Sequence, residues 1–363
     1  MIVCEYVKGK EHPHIIATGY KESRGIHHGY IVNYDEAAQS VAEAIDEASH
    51  GAGVDIKRAI LAIGGVSLSS AVSDGSIAVS RADSEITDID IERVIETSKG
   101  NLKEIANRRV LHTVPQYYKL DGKKIWGRPH GMHGAILETR TLFITCLEQH
   151  YNDLLSVVDA AGVQVEDVFA APIAESMASL TRLQKKAGCV LANIGAETVS
   201  IVVFEEGIPV SLAVFPMGST NITNDIALGL RIPIEEAERV KKMRDDSPAR
   251  RKIDEIIEAR LTDIFELIEA HLKKIGRNGL LPAGVILSGG GSFIPTIDEL
   301  AKDSLRLPAR VAQQMQGLKD PSWAVAYGLP LLWNDDDIEE SLGFRIAKQT
   351  TNGLLGWFKH FLP

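Results

Sequence analysis

Cysteine is scarce in this chain. There are three in 363 residues, Cys4, Cys146 and Cys189. An odd number at unrelated spacings gives neither a disulfide framework nor a metal knuckle, and it implies a reducing cytoplasm. Long apolar runs are missing too: none approaches the ~18 residues that a membrane-spanning helix needs. The opening segment carries a charge by Glu5 and has no small-residue cleavage site, so it is expected to be a strand and not a signal peptide. Positive charge is in deficit, with 39 Lys and Arg against 49 Asp and Glu and a net charge of −10. Such a chain repels the phosphates of a nucleic acid, and only short basic runs, Lys241-Lys242 and Arg250 to Lys252, oppose that; no nucleic acid is expected as a partner. Anionic lipid is disfavoured in the same way, so any membrane contact must come from a local apolar element. No nucleophile elbow and no Ser/His/Asp arrangement is present.

The remaining composition is that of a globular protein, 45% hydrophobic and 24% charged, with length enough for two domains at ~100–200 residues each. Early in the chain, strands are expected at Ile15 to Gly19 and Gly29 to Asn33. A helix follows from Glu36 to His50, with Ala37, Val41, Ala44 and Ile45 on one face and an end marked by Gly51 and Gly53. Ala59 to Gly65 reads as a short buried strand, which makes the unit a layered α/β one. Residues 71–146 read as a compact insert. It has a strand near Ile77, a helix opened by Thr87 with Asp88 and Asp90 at its positive end, and strands near Val110 to Val114 and Ala135 to Cys146. Residues 150–182 are expected to be helix-rich. Gly188 to Phe215 should form two strands in hairpin order, and Asp225 to Met243 and Arg251 to Ile275 should be helices. Val285 to Ser288 is a buried strand that runs into glycines and then a helix. An acidic linker, 334–351, separates all this from a different ending, 352–363.

Three features could carry chemistry. The first is Gly289-Gly290-Gly291 between a strand and a helix, where backbone can approach a ligand closely and a helix N-terminus favours anions. It reads equally as a nucleotide turn or as a tight turn with no ligand. The second is Asn193 to Ser200, with Gly195 at a bend and a hydroxyl on Thr198. It has the shape of a phosphate-binding hairpin, but a metal-dependent phosphate site wants a carboxylate where Asn193 stands, and Glu197 adds negative charge where phosphate would sit. By spacing alone, an ordinary hairpin is expected. The third is the tail. On a helix at ~100° per residue, Leu354, Leu355, Trp357, Phe358, Phe361 and Leu362 share one arc, and Gly353, Gly356, Lys359 and His360 the other. That is the pattern of an interfacial anchor, expected to fold only at a lipid surface. The histidine pairs His12/His14, His27/His28 and His130/His133 have no partner at a metal-site spacing, so they are expected on surface loops.

Taken together, these stretches resemble the FtsA family, the actin-like bacterial proteins that tether the division ring to the membrane. The resemblance rests on Ser23 to Asn33, Glu85 to Ile95, Pro129 to Glu138, Ile256 to Arg260 and Gly284 to Gly291. Its most specific part is Pro216 to Arg231 followed by Glu235 to Lys241. The tail resembles the family's membrane-targeting helix. This implies an actin-like α/β fold of two lobes with an inserted α+β subdomain and a C-terminal amphipathic helix. The parts would be 1–70 with 147–182 for the first lobe, 71–146 for the insert, and 183–225 with 282–333 for the second lobe. A further subdomain, 226–281, would cap the nucleotide and bind FtsZ.

The resemblance implies ATP as the cofactor, with magnesium only alongside it. Gly195, Thr198, Gly218, Glu238, Lys241, Gly289, Gly290 and Gly291 would be the contacts. It implies that Arg260 helps receive the C-terminal peptide of FtsZ, and that Leu354, Leu355, Trp357, Phe358, Lys359, Phe361 and Leu362 meet lipid. Partners would be FtsZ, other copies in a filament and other division proteins, at the septum on the cytoplasmic face of the membrane. Against the family pattern, the chain starts after the first strand and its Asp-Ile-Gly-[Ser/Thr] loop, Asn193 and Ser200 replace acidic residues, Ala171 replaces a polar or acidic one, and Met243 to Ile253 is short. ATP is therefore expected to bind weakly or not at all, and no catalytic residue is assigned. A PilM-like pilus-assembly protein and an actin-fold ATPase or kinase are the alternative readings.

Overall fold

The protein is described by a computed structural model covering residues 1–7, 12–80, 83–103, 105–242, 250–313 and 320–333. The expected acidic linker and terminal helix lie outside the described residues, as does 243–249.

The first lobe opens with β1 (Ile2–Glu5) paired antiparallel to β2 (His14–Thr18), then a small hairpin of β3 (Ile26–His27) and β4 (Tyr30–Ile31). Helix α1 (Tyr34–Ala52) follows. The Asn33 side chain accepts from the Glu36 amide at its start, and Gly53 takes the left-handed conformation that closes its end. Strand β5 (Arg58–Ile63) leads into the insert. There β6 (Ser69–Ala78), β7 (Arg108–Leu120), β8 (Lys123–Ile125) and β9 (Ile136–Leu147) form a four-stranded antiparallel sheet in the order β6-β9-β7-β8. Helix α2 (Asp88–Gly100) covers this sheet by burying Ile91 and Val94 against Tyr118, Leu120 and Leu137. Thr87 opens α2 as expected, and the Asp90 carboxylate reaches back to the Thr87 amide at 3.0 Å.

After the insert, α3 (Glu148–Ala160) and β10 (Gln164–Ala170) return to the first lobe, where β10 pairs in parallel with β5. The segment 150–182 is thus not all helix: Val165, Val168, Phe169 and Ala170 supply a strand that is packed in the core. Helix α4 (Ala171–Ser179), with Pro172 in its first turn, and the short α5 (Arg182–Ala187) lead to the second lobe.

The second lobe is a five-stranded sheet in the order β13-β12-β11-β14-β15. Its strands are β11 (Cys189–Ile194), β12 (Val199–Glu205), β13 (Ile208–Phe215), β14 (Gly284–Ser288) and β15 (Ala309–Val311). Gly188 to Phe215 therefore holds three strands and two turns, one more than expected. Burial on both faces explains why β11 is apolar from Cys189 to Ala192. Leu191 packs on the core shared with the first lobe, while Val190, Ala192 and Ile194 pack on the opposite side against the helices.

Those helices are α6 (Ser219–Leu230), α7 (Ile234–Lys242), α8 (Arg250–Lys274) and α9 (Ile297–Leu305). The single helix expected over 225–243 is broken at Arg231, whose φ is +57°, and the following Pro233 cannot continue a helix. Along α8, Leu261, Ile264, Phe265, Ile268 and Leu272 form the buried stripe that the spacing predicts. Helix α10 (Ala324–Trp333) crosses α4 at Gly328, where a Cβ would fall 1.8 Å from the Ala174 carbonyl oxygen. Helix α10 thus returns to pack on α4 and β5 of the first lobe.

Candidate functional site

The carboxyl ends of the parallel strands converge on one place, where open α/β sheets bind their ligands. Strand β5 ends at Gly64-Gly65, and Gly65 meets Gly29 so closely that a Cβ on Gly29 would lie 2.4 Å from the Gly65 Cα. Strand β11 ends in the turn Gly195 to Thr198, and the Gly195 amide donates to the Thr198 carbonyl at 2.9 Å. Strand β14 ends at Gly289, where a Cβ would lie 2.5 Å from Asn193 Oδ1. The start of α6 closes the group: the Ser219 and Thr220 amides donate to the carbonyls of Gly195 and Ala196 at 2.9 and 2.8 Å.

The three glycines divide by role. Gly289 (φ +77°) and Gly291 press against Asn193 and Ile194, whereas a Cβ on Gly290 would meet nothing within 4 Å. Two of the three are thus explained by packing, and one faces open space. The turn continues into a single 3-10 turn, Gly290–Phe293, and α9 begins only at Ile297. The glycines do not lead directly onto a helix N-terminus.

Beside α6, Lys241 Nζ on α7 reaches Glu238 Oε2 at 2.6 Å, Thr223 Oγ1 at 2.8 Å and the Ser219 carbonyl at 3.2 Å. Thr223 also donates to Glu238. Burial pushes the Glu238 carboxyl up, but hydrogen bonds from Lys241, Thr223 and Lys242 outweigh it and hold it at about 2. Glu238 and Lys241 are thus paired beside the start of α6, which Gly218 precedes. Lys241 also lines a cavity of about 850 Å³ between α7, α8 and the segment Ile294 to Thr296.

Asn193 has a partner that the sequence reading missed. Its Nδ2 donates to Glu175 Oε2 at 2.9 Å, and Glu175 is 1% exposed on α4. Burial raises this carboxyl to about 7, against hydrogen bonding from Ser288 and Asn193. Ser288 stands beside the acid, but in a geometry that gives neither its Oγ nor Glu175 Oε1 a well-formed hydrogen bond. The departure at Ala171 thus has a counterpart: an acid lies four residues further along the same helix. The histidines also do more than sit on loops. His27 and His28, in the β3–β4 hairpin, hold Glu197 in the β11–β12 turn of the other lobe.

Arg260 on α8 is engaged within the protein. It donates to both carboxylate oxygens of Asp225 at 2.7 and 3.1 Å and lies 3.1 Å from Asp263. Asp225 on α6 thereby fixes the guanidinium, which is 25% exposed. Among the described residues no cluster of His, Cys, Asp or Glu could hold a metal ion, and no helix is long and apolar enough to cross a membrane.

The sequence compares closely with known division proteins. The family model described as cell division protein FtsA matches residues 190–328, and that of the SHS2 domain inserted in FtsA matches 65–145. Cell division protein FtsA of Pseudomonas aeruginosa is 32% identical over 344 residues, 87% of this chain and 82% of that protein. The chain belongs to the FtsA family. FtsA of Bacillus subtilis is also 32% identical, over 87% of this chain and 77% of its own, and that of Escherichia coli is 26% identical over 95% and 90%. In fold, the chain resembles a PilM-PilN type IV pilus biogenesis complex (TM-score 0.65, 17% identity, 91% of this chain and 94% of that one). It also resembles ethanolamine utilization protein EutJ from Carboxydothermus hydrogenoformans (TM-score 0.51, 18% identity, 86% and 79%). The fold is actin-like, with two lobes and the FtsA-type insert; the expected terminal helix lies outside the described residues.

An FtsA-family nucleotide would lie across this cleft, and the residues fit it only in part. Toward the nucleoside, Gly290 faces open space, while the cavity that Lys241 lines is bounded by α7, α8, α9 and Ile294 to Thr296 and not by the glycine turn. The phosphate end does not fit. Asn193 is an amide bonded to Glu175, the α6 amides are taken by the turn's own carbonyls, and Glu197 brings a carboxylate.

Proposed function

We propose that this chain is a division adaptor that anchors FtsZ at the cytoplasmic face of the cell membrane, at the septum, and assembles into actin-like filaments. The observation that carries the reading is membership of the FtsA family along most of the chain's length. The sequence of the last residues supports the anchor: Leu354, Leu355, Trp357, Phe358, Phe361 and Leu362 share one helical arc, with Lys359 opposite. Filament contacts fall to the insert, 71–146, within the division of the chain into lobes, capping subdomain, linker and tail given above.

FtsZ engages the α8 face through Arg260, whose fork suits a peptide carboxylate. Such a carboxylate competes with Asp225 and Asp263 for the guanidinium. ATP binds weakly or not at all, because the phosphate end of the cleft lacks a carboxylate at Asn193 and holds one at Glu197. The residues toward it are Gly195, Thr198, Gly218, Glu238, Lys241 and Gly289 to Gly291, with no catalytic role assigned.

Vesicle co-sedimentation of the full chain tests the anchor. The protein is expected to pellet with anionic vesicles, more completely as its concentration rises and it self-assembles, and Trp357→Glu is expected to stay in the supernatant. Equal pelleting of Trp357→Glu would remove the anchor from the account.

A further inference from the structure

Glu197 and its partners lie in different lobes. Glu197 is in the β11–β12 turn; His27 and His28 are 170 and 169 residues earlier, in the β3–β4 hairpin. The two carboxylate oxygens are used separately. Oε1 lies 3.0 Å from His27 Nδ1, and Oε2 accepts the His28 amide at 2.6 Å. His28 Nδ1 lies 3.0 Å from the Glu197 carbonyl oxygen. A carboxylate and a carbonyl only accept, so both imidazoles carry their hydrogen on Nδ1.

The hairpin is built to present these donors. His28 has a φ of +49°, Gly29 rests on Gly65 at the end of β5, and the two rings pack with centroids 4.2 Å apart. An exposed ion pair on flexible side chains contributes little. Here one donor is main chain and the acceptor is only 35% exposed, so less freedom is lost in making the contact.

We propose that Glu197 is a built-in anion, which takes the position of a bound phosphate between the lobes and latches them closed through the β3–β4 hairpin. The position is the one where the strands' carboxyl ends meet and where a phosphate would seek N–H donors. The nearest helix N-terminus has none to give, because the Ser219 and Thr220 amides are bonded to Gly195 and Ala196. Burial raises the Glu197 carboxyl, but hydrogen bonds from the His28 amide and His27 bring it below its ordinary value, so it is an anion at neutral pH. The ligand class that suits the opened site is a small oxyanion such as pyrophosphate. The latch rests on the weak-nucleotide reading above and supplies its cause.

Hydrogen exchange by mass spectrometry on the full chain tests this, with pyrophosphate as the probe. In Glu197→Ala and in His27→Ala, amide exchange over 26–31 and 194–200 should quicken at least tenfold. The double variant should exchange no faster than the faster single one, since both remove the same contact. Glu197→Gln keeps the side chain's size and serves if the alanine variant loses its fold. Pyrophosphate should slow exchange at these segments in Glu197→Ala and leave the wild type unchanged. Unchanged exchange in the variants, or additive effects, would overturn the latch alone. Slowing in the wild type as strong as in the variant would overturn the weak-nucleotide reading, and the latch's place as occupant with it. No slowing in either protein would overturn the phosphate position assigned to Glu197.

Discussion

At the scale of single residues, the most consequential side chain is one that no motif marks. Asn193 was legible as an amide where a metal-dependent phosphate site wants an acid. Glu175 was not, because its meaning comes from burial and from an Asn193 that lies 18 positions on. The same holds for His27 and His28, which spacing left on a loop and tertiary structure places on Glu197. Glu175 makes a prediction with a definite sign. Its folded pKa, about 7, stands above the ordinary carboxylate value, so the folded state holds a proton that the unfolded chain has released. Stability should therefore fall as pH rises from about 4.5 toward 7 and level off above, through this group. Glu175→Gln keeps an oxygen for Asn193 to donate to and removes the charge. Its melting temperature should exceed wild type at pH 8 and by less at pH 5. A gain that does not change between those pH values would show that the acid is not held neutral.

At the scale of elements, the glycine turn separates packing from ligand binding. Gly289 and Gly291 are held by contacts of 2.4–2.6 Å that a methyl group would make with Asn193 and Ile194. Overpacking of this kind costs typically 1–3 kcal/mol. Gly289→Ala and Gly291→Ala should destabilise by that order, and Gly290→Ala by less than about 0.5 kcal/mol, as surface changes do. Urea denaturation of the three variants decides; equal losses would make Gly290 a packing glycine as well. The helices α1, α2 and α8 and the strand β14 were legible because periodicity and caps are local. Strand β10 was not, since Val165 to Ala170 is short, lies among helices and gains its partner β5 only across the insert. The break between α6 and α7 is marked in the sequence by Pro233, which cannot continue a helix.

At the scale of the whole molecule, the two-lobed frame with its insert followed from stretches spread along the sequence, because family likeness does not depend on any one contact. The state of the cleft did not follow, because it depends on which side chains meet across the lobes. The tail's contribution is set by simple magnitudes. Fully burying a large apolar side chain gives roughly 1.5–3 kcal/mol, and a helical glycine costs roughly 0.5–1. If the tail meets lipid as proposed, six such side chains at partial depth, less the cost of Gly353 and Gly356, should leave one copy marginally bound, and filaments should strengthen attachment by raising effective concentration. The central claim, a tether that joins FtsZ to lipid, is tested most directly by imaging labelled FtsZ on an anionic supported bilayer with this chain in solution. Wild-type protein should bring FtsZ to the bilayer, Trp357→Glu should leave both proteins in solution, and Arg260→Glu should bind lipid yet recruit at least tenfold less FtsZ. FtsZ recruited equally by all three proteins, or by none, would contradict the account.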